Sequence, residues 1–277
     1  MIKVMSFNIR MGPAQDGENS WPYRKSLLVE RIRAFDPHLL GLQECHAAIQ
    51  AGYLQEQLPD YRFVGVRRGG EGQPGEEISA ILYKPAVFEQ IEIRHLWLSE
   101  TPDVPGSCSW DSDFPRTVER VTLRYRGRRP GEARPLVYFN THFDYKPVAV
   151  LESARLLRSW LEALDGVLPV VVTGDFNAPA GGPAYQLLLA GDSSQAGEGA
   201  ARLFRDAHRS LPGGEQASSG GTYHGYGRVT AREPIDWVLV SPHFRVLEAG
   251  VDRYHRGPLY PSDHYPVWAR LALPGEA

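Results

Sequence analysis

An α/β domain, with helices laid over the outer faces of β-sheets, is the fold class this sequence predicts. Strand-like apolar runs are many and short, helical segments are few, and those helices fall between strands rather than in a block of their own. The hydrophobic content of 42% suits a protein that buries a full core. No repeat, low-complexity linker or shift in composition divides the 277 residues. Residues 1–277 therefore read as one domain, a size that two-sheet and barrel folds reach as single units.

The first strand is IKVMSFN (2–8), ending at Asn8. A helix follows: Asn19 or Ser20 can cap it, Pro22 suits its first turn, Leu28, Ile32 and Phe35 recur at helical spacing, and Pro37 stops it. LLGLQE (39–44) closes on Glu44 and completes a strand–helix–strand unit. Residues 61–66 and 78–84 read as a hairpin around the Gly-rich 67–77. Residues 88–99 alternate like a strand, and 100–116 form an irregular loop with three prolines, a length that points to function or disorder. Strands at 118–125 and 134–144 flank a basic turn, RGRRPGEA, read as a solvated hairpin tip. Residues 147–166 make an amphipathic helix with Leu157, Trp160, Leu161 and Leu164 on one side. The run VVVTGDFN then stops at Asp175 and Asn177. A short helix over 182–191, surface loops at 191–202 and 211–221, and strands at 235–241, 244–252 and 265–273 complete the chain.

The net charge of -3 and pI near 6.3 disfavour a protein that lives on non-specific duplex contacts. They are compatible with a site where a metal ion supplies positive charge. Two cysteines, Cys45 and Cys108, give no disulfide framework, so a reducing compartment is the simpler expectation. The N-terminus enters a strand at once, without a basic segment leading into an apolar one, and no apolar run approaches a membrane span. These features lead us to expect a cytoplasmic monomer without membrane contact. The Gly-rich GGEGQPG has neither GK[ST] nor a following helix, which excludes a P-loop.

The chemistry gathers at strand ends: Asn8, Glu44, His142 with Asp144, Asp175 with Asn177, Asp236, and Asp263 with His264. In α/β sheets ligands collect there. Period-two geometry puts Asp175 and Asn177 on one side if the strand persists. Glu44, Asp175, Asp263, Asn8 and Asn177 offer hard oxygen donors suited to Mg²⁺ or Mn²⁺, whereas structural zinc finds no ligand set. His142 and His264 add imidazoles able to bind or protonate a phosphoryl oxygen, and an acid such as Asp236 beside His264 would fix its tautomer.

In order, SFNIR, LQE, NTHFD, GDFN, IDWV and SDHYP resemble the signatures of the endonuclease/exonuclease/phosphatase superfamily, which includes DNase I, exonuclease III, sphingomyelinases, inositol polyphosphate 5-phosphatases and deadenylases. They span Asn8 to His264. The resemblance implies a four-layer α/β sandwich, two mixed sheets face to face with helices outside. It implies a Mg²⁺ or Mn²⁺ cofactor, with Glu44 and Asn8 at the metal and Asp263 nearby. Asp175 would orient or deprotonate the attacking water, and Asn177 would hold water or a phosphate oxygen. Asp236 would pair with His264, and His264 would contact the scissile phosphate. His142 matches a histidine of the DNase I and phosphatase branches. Glu77 falls where those branches keep an acid and would pair with His142. Arg116, in FPR, matches a substrate-side arginine.

The reaction so implied is in-line attack of water on phosphorus by a metal-dependent phosphoesterase. A phosphodiesterase or nuclease comes first, with nucleic acid or a small phosphodiester as substrate. The alternatives are a phosphomonoesterase of the inositol-phosphatase type and a dead relative that only binds. Arg10 after the first Asn, and NTHFD where abasic endonucleases carry a tyrosine, argue against abasic-site repair. DGENSW and LWLSETPDVPGSCSW resemble an uncharacterised bacterial branch. Trp110 in the long loop, and Tyr223 and His224 in GTYHGYG, are candidate substrate walls. The rival readings are a core position for Trp110, packing for His224 and a solvated charge for Glu77. The remaining histidines, His38 among them, have no partner legible in sequence.

Overall fold

The computed structural model describes residues 1–126, 135–164, 166–189, 203–211 and 220–273. The basic turn and most of the loops expected over 191–202 and 211–221 lie outside the described residues.

Among the described residues two six-stranded sheets pack face to face. The first contains β1 (Ile2–Asn8), β2 (Leu39–Gln43), β4 (Arg62–Val64), β6 (Ile81–Tyr83), β13 (Arg245–Val251) and β14 (Val267–Ala272), in the order β13-β14-β1-β2-β6-β4. The second contains β7 (Phe88–Trp97), β8 (Thr117–Tyr125), β9 (Pro135–His142), β10 (Val170–Asp175), β11 (Arg205–Asp206) and β12 (Asp236–Val240), in the order β11-β12-β10-β9-β8-β7. Each sheet has one parallel pair at its centre, β1 with β2 and β9 with β10, and antiparallel neighbours elsewhere. The expected hairpin is β4 with β6, but its connection also carries β5 (Glu77–Ile78), paired to β3 (Cys45–His46) in a ribbon too short to leave a periodic signal.

Helices cover both outer faces, giving the four expected layers. Leu28 and Ile32 of α1 (Trp21–Phe35) and Leu54 of α2 (Gly52–Gln57) pack on Met5, Phe7, Leu40 and Leu42. Leu157 and Leu161 of α3 (Pro147–Glu162) and Leu188 of α4 (Pro183–Leu189) pack on Phe139, Val172 and Trp237. Each such leucine contributes about 1.5–3 kcal/mol by leaving water. Ser20 occupies the N-cap of α1, but its hydroxyl accepts from the Asp16 N–H (3.1 Å) rather than capping the helix. Asp36 turns the chain at the other end, in the left-handed region ahead of Pro37.

The alternation within strands decides where the chemistry goes. Ile2 and Val4, Leu136 and Tyr138, Val171, and Val238 and Val240 all belong to the core between the sheets. Continuing that alternation, Asn8, His142, Asp175 and Asp236 lie on the same inner faces at one end of the sandwich. Beneath them the inner faces turn polar. Asn140 donates to the Leu42 and Ala80 carbonyls (both 2.9 Å), and its Oδ1 accepts from Gln43 Nε2 (2.7 Å) and Thr173 Oγ1 (3.0 Å). Gly41 is required here, because a Cβ would lie 2.3 Å from Asn140 Oδ1 and 2.4 Å from Thr173 Oγ1.

The opposite end of the first sheet, where β1 begins, carries a pH-sensitive contact. Lys3 N–H donates to His38 Nδ1 (3.3 Å), which needs a neutral ring. Burial, then the charges of Lys3 and Lys84, lower this imidazole to about 4. Since the folded value lies below the unfolded one, near 6.5, the contribution is present above about pH 6.5 and lost as pH falls toward about 4. Thermal melts across that window should fall more steeply for the wild type than for His38→Asn. Parallel curves would contradict this assignment.

Candidate active site

Strand ends from both sheets bound one cavity of about 460 Å³. Asn8, buried at the end of β1, joins the sheets: its Nδ2 donates to Glu44 Oε1 and to Asp175 Oδ2, both at 2.9 Å. Glu44 follows β2 at φ 59°, a turn that swings its carboxylate into the cavity, where Oε2 also accepts from Met11 N–H (3.0 Å). Burial works against ionisation of Glu44, but the Asn8 hydrogen bond and the His264 charge prevail and lower its pKa. Asp263 is pushed upward, by burial first and by Glu44 among its neighbours.

His264 Nδ1 bonds Asp236 Oδ2 at 2.9 Å, and its Nε2 lies 3.7 Å from Asp175 Oδ2. Burial alone would discharge this ring. The carboxylates of Asp236 and Asp175 outweigh it and raise the imidazolium to about 10. Asp175 is pushed up to about 7, by burial and then by Asp236. Its Oδ1 accepts from Asn177 N–H (3.0 Å) in an Asx turn that places Asn177 at φ 47°. In this turn Asn177 Nδ2 lies 3.2 Å from His142 Nε2 and donates to the Phe143 carbonyl (2.9 Å). His142 is held neutral, well below its ordinary value, by burial and by Arg116 and Arg68.

The opposite wall corrects several expectations. Glu77 does line the cavity, but its partner is Arg68, through two 2.9 Å contacts, and not His142. The ribbon of β3 with β5 fixes Glu77, and the Gly-rich loop returns Arg68 alongside it, so the guanidinium reaches the carboxylate first. Trp110 is half-buried and is not among the cavity-lining residues; Phe114, from the same loop, takes the wall position. Its ring lies beneath Arg68 (4.4 Å) and Arg116 (5.6 Å). Asp113 latches that loop down through Tyr145, Lys146 (3.1 Å) and Asp144 (3.2 Å). Tyr223 lines the cavity beside His264, ring centroids 5.1 Å apart. His224 does not line it: the ring is buried, stacked on Tyr265 at 3.8 Å, and lowered by burial to about 3. Arg116, 6% exposed, lines the cavity with Asp144 Oδ2 3.5 Å from its Nε.

Sequence reasoning missed Arg10, Arg68 and Phe114 as cavity residues. Arg10 stands inside SFNIR, where the motif itself was a signal. Arg68 and Glu77 lie nine positions apart across a glycine-rich loop, and only the strand register shows that they meet.

The donor chemistry fits a hard divalent cation. Glu44 and Asp263 present carboxylate oxygens to the cavity, and Asp236 Oδ1 is buried without a hydrogen-bond partner. A second group, Asp175, Asp236 and His264, brings one ligand atom from each within 4.8 Å. The 2.9 Å bond between Asp236 and His264 accounts for that group as a dyad, which leaves Glu44 and Asp263, with Asn8 behind them, as the better hard-oxygen pair.

The model of the Endonuclease/Exonuclease/phosphatase family matches residues 5–264. The chain belongs to this family. Its members are hydrolases that act on phosphoester bonds. An endonuclease/exonuclease/phosphatase from Bacteroides vulgatus superposes with a TM-score of 0.82 at 27% identity, covering 98% of each chain. The mannosyl-6-phosphatase of Bacteroides thetaiotaomicron superposes at 0.80 with 27% identity, covering 99% of this chain and 100% of that one. The Ccr4 exoribonuclease subunit of the CCR4-Not complex of Coccidioides immitis is 23% identical over 248 residues, 66% of this chain and 32% of the relative. The chain thus spans about a third of that relative's length. Among the described residues no helix is long and apolar enough to cross a membrane.

Proposed function

We propose that this protein is a divalent-metal-dependent phosphoesterase, acting on a small phosphate ester by attack of water on phosphorus. The observation that carries the reading is the convergence on one cavity of His264, held from behind by Asp236, with Asp175 and the Glu44 and Asp263 carboxylates. Glu44 and Asp263, backed by Asn8, would hold Mg²⁺ or Mn²⁺. Such an ion supplies charge neutralisation at the phosphoryl oxygens. Asp175, bonded to Asn8 and Asn177, would receive the proton of the attacking water. His264, oriented through Nδ1 by Asp236, would donate from Nε2 to a phosphoryl oxygen, and Asn177 would fix that oxygen or the water. Arg116 closes the anionic side of the substrate.

The sequence put a diester first. The half-open cavity, with Arg68, Arg116 and Phe114 on one wall, favours a small monoester, and the mannosyl-6-phosphatase relative supports it. Nucleic acid is the second reading, favoured by Tyr145 and Tyr223 as stacking surfaces on the cavity and by the Ccr4 relative.

Metal dependence has a direct thermodynamic test. Mn²⁺ at about a hundred times its Kd should raise the melting temperature by roughly 5–10 °C over EDTA. Glu44→Gln should lose most of that shift while melting like the wild type in EDTA. A wild type indifferent to both Mg²⁺ and Mn²⁺ would refute the metal reading.

A further inference from the structure

Arg10 is built into the site with more structure than the proposed reaction uses. Its backbone lies at φ 53°, in the left-handed region that disfavours non-glycine residues. The fold holds it there from several sides. The Arg10 N–H donates to Asn8 Oδ1 (3.0 Å), and its carbonyl accepts from Arg24 Nη2 (2.8 Å) and Gln50 Nε2 (3.0 Å). Arg24 is itself fully buried and ties the Ile9 and Pro261 carbonyls to the same knot. The guanidinium is anchored as firmly. Nε and Nη2 donate to the two carboxylate oxygens of Asp16 at 3.2 and 3.3 Å, and Tyr226 donates its hydroxyl to Asp16 at 3.0 Å. Pinned in this way, the guanidinium stands off 3.7 Å from Asp263 Oδ2 and 4.0 Å from Glu44 Oε2.

We propose that Arg10 is a tethered competitor of the divalent ion, a fixed cation that shares Glu44 and Asp263 with the metal and sets how tightly the metal is held. The proposal rests on the assignment of Glu44 and Asp263 as the metal-holding pair. Without an ion, two close carboxylates of low exposure need a compensating charge, and Arg10 supplies it. With an ion, the same charge opposes binding, because like charges a few ångströms apart in a partly buried site repel by more than a tenfold factor in affinity. Asp16 and Tyr226 keep the competition incomplete: their grip stops the guanidinium from closing the last ångström onto the two carboxylates.

The inference predicts opposite effects from two neighbouring substitutions. Mn²⁺ binding to EDTA-stripped, full-length protein is measured by isothermal titration calorimetry. Arg10→Met should bind Mn²⁺ at least about tenfold more tightly than the wild type. Arg10→Lys, which keeps the charge, should stay within about threefold. Asp16→Ala frees Arg10 to settle on Glu44 and Asp263, so it should bind Mn²⁺ more weakly. Melting temperatures in EDTA check that each variant is folded, and Arg10→Met should gain more from added Mn²⁺ than the wild type gains. If Arg10→Met binds no more tightly, or Asp16→Ala binds as tightly as the wild type or better, the proposal is overturned while the metal site stands. A wild type that binds no Mn²⁺ overturns the metal assignment and this proposal with it.

Discussion

His264→Ala is expected to lower the kcat for metal-dependent phosphate-ester hydrolysis by about 10³–10⁴-fold, a loss typical of removing a general acid or a charged hydrogen-bond donor. The ring is 5% exposed, oriented by Asp236 at 2.9 Å and aimed toward Asp175 at 3.7 Å, so its charge is spent inside the cavity and not on solvent. Alanine also leaves Asp236 and Asp175 buried without their cation, so folding must be checked by circular dichroism. Asp236→Asn separates the two effects, since it keeps the shape of the pair and removes the largest of the charges that raise His264. A fall of about 10²-fold or more is expected there, with KM little changed. A His264→Ala protein that is folded and retains wild-type kcat would exclude the imidazole from the reaction.

Asn140→Ala is expected to cost about 3 kcal/mol of stability, about 6–12 °C in melting temperature, which makes it the largest stability effect anticipated in this protein. Asn140 lies on β9 but donates to the backbone of Leu42 and Ala80 in the facing sheet, and it accepts from Gln43 and Thr173. Truncation removes the side-chain donor of the Leu42 carbonyl in a buried interior, and it takes one of two partners each from the Ala80 carbonyl, which also accepts from Leu42 N–H (2.8 Å), and from the Gln43 amide, which also donates to Ser6 Oγ (3.2 Å). Gly41→Ala attacks the same place from the other side by overpacking, at about 1–3 kcal/mol. Chemical and thermal unfolding of both variants would check this. An Asn140→Ala protein that melts within a degree of the wild type would show that the polar layer does not join the sheets. Because Leu42 and Gln43 lead directly into Glu44, Asn140→Ala should also bind Mn²⁺ more weakly.

What could be read in the sequence is what obeys a short period or a strand end. Asn8, His142, Asp175 and Asp236 were legible as polar groups at the ends of apolar runs, and the two-residue period of the strands places them on the inner faces. The Asp236–His264 pair was legible through the family resemblance, and the structure forms it with Asp236 at the start of β12 and His264 in the last loop. The other wall was not legible for a physical reason. The loop 100–116 has no period, so nothing in it distinguishes Trp110, at φ 60° and away from the cavity, from Phe114, packed between two arginines. Glu77 had a plausible histidine partner, but Arg68 reaches it through a Gly-rich turn whose path depends on backbone bonds such as Arg68 N–H to the Glu77 carbonyl (2.9 Å). His224 follows a wall residue in sequence and stacks on Tyr265, because adjacent residues of an extended segment face opposite ways.

The central claim is that the Glu44–Asp263 and Asp175–His264 groups together hydrolyse a phosphate ester with a divalent ion. Its most direct test is product release from p-nitrophenyl phosphate and bis(p-nitrophenyl) phosphate by the wild type and by Asp175→Asn, each in Mn²⁺ and in EDTA. The wild type should hydrolyse both esters in Mn²⁺, the monoester faster, with activity abolished by EDTA and reduced about 10³-fold or more in Asp175→Asn. Hydrolysis that persists in EDTA, or that survives intact in Asp175→Asn, would contradict it.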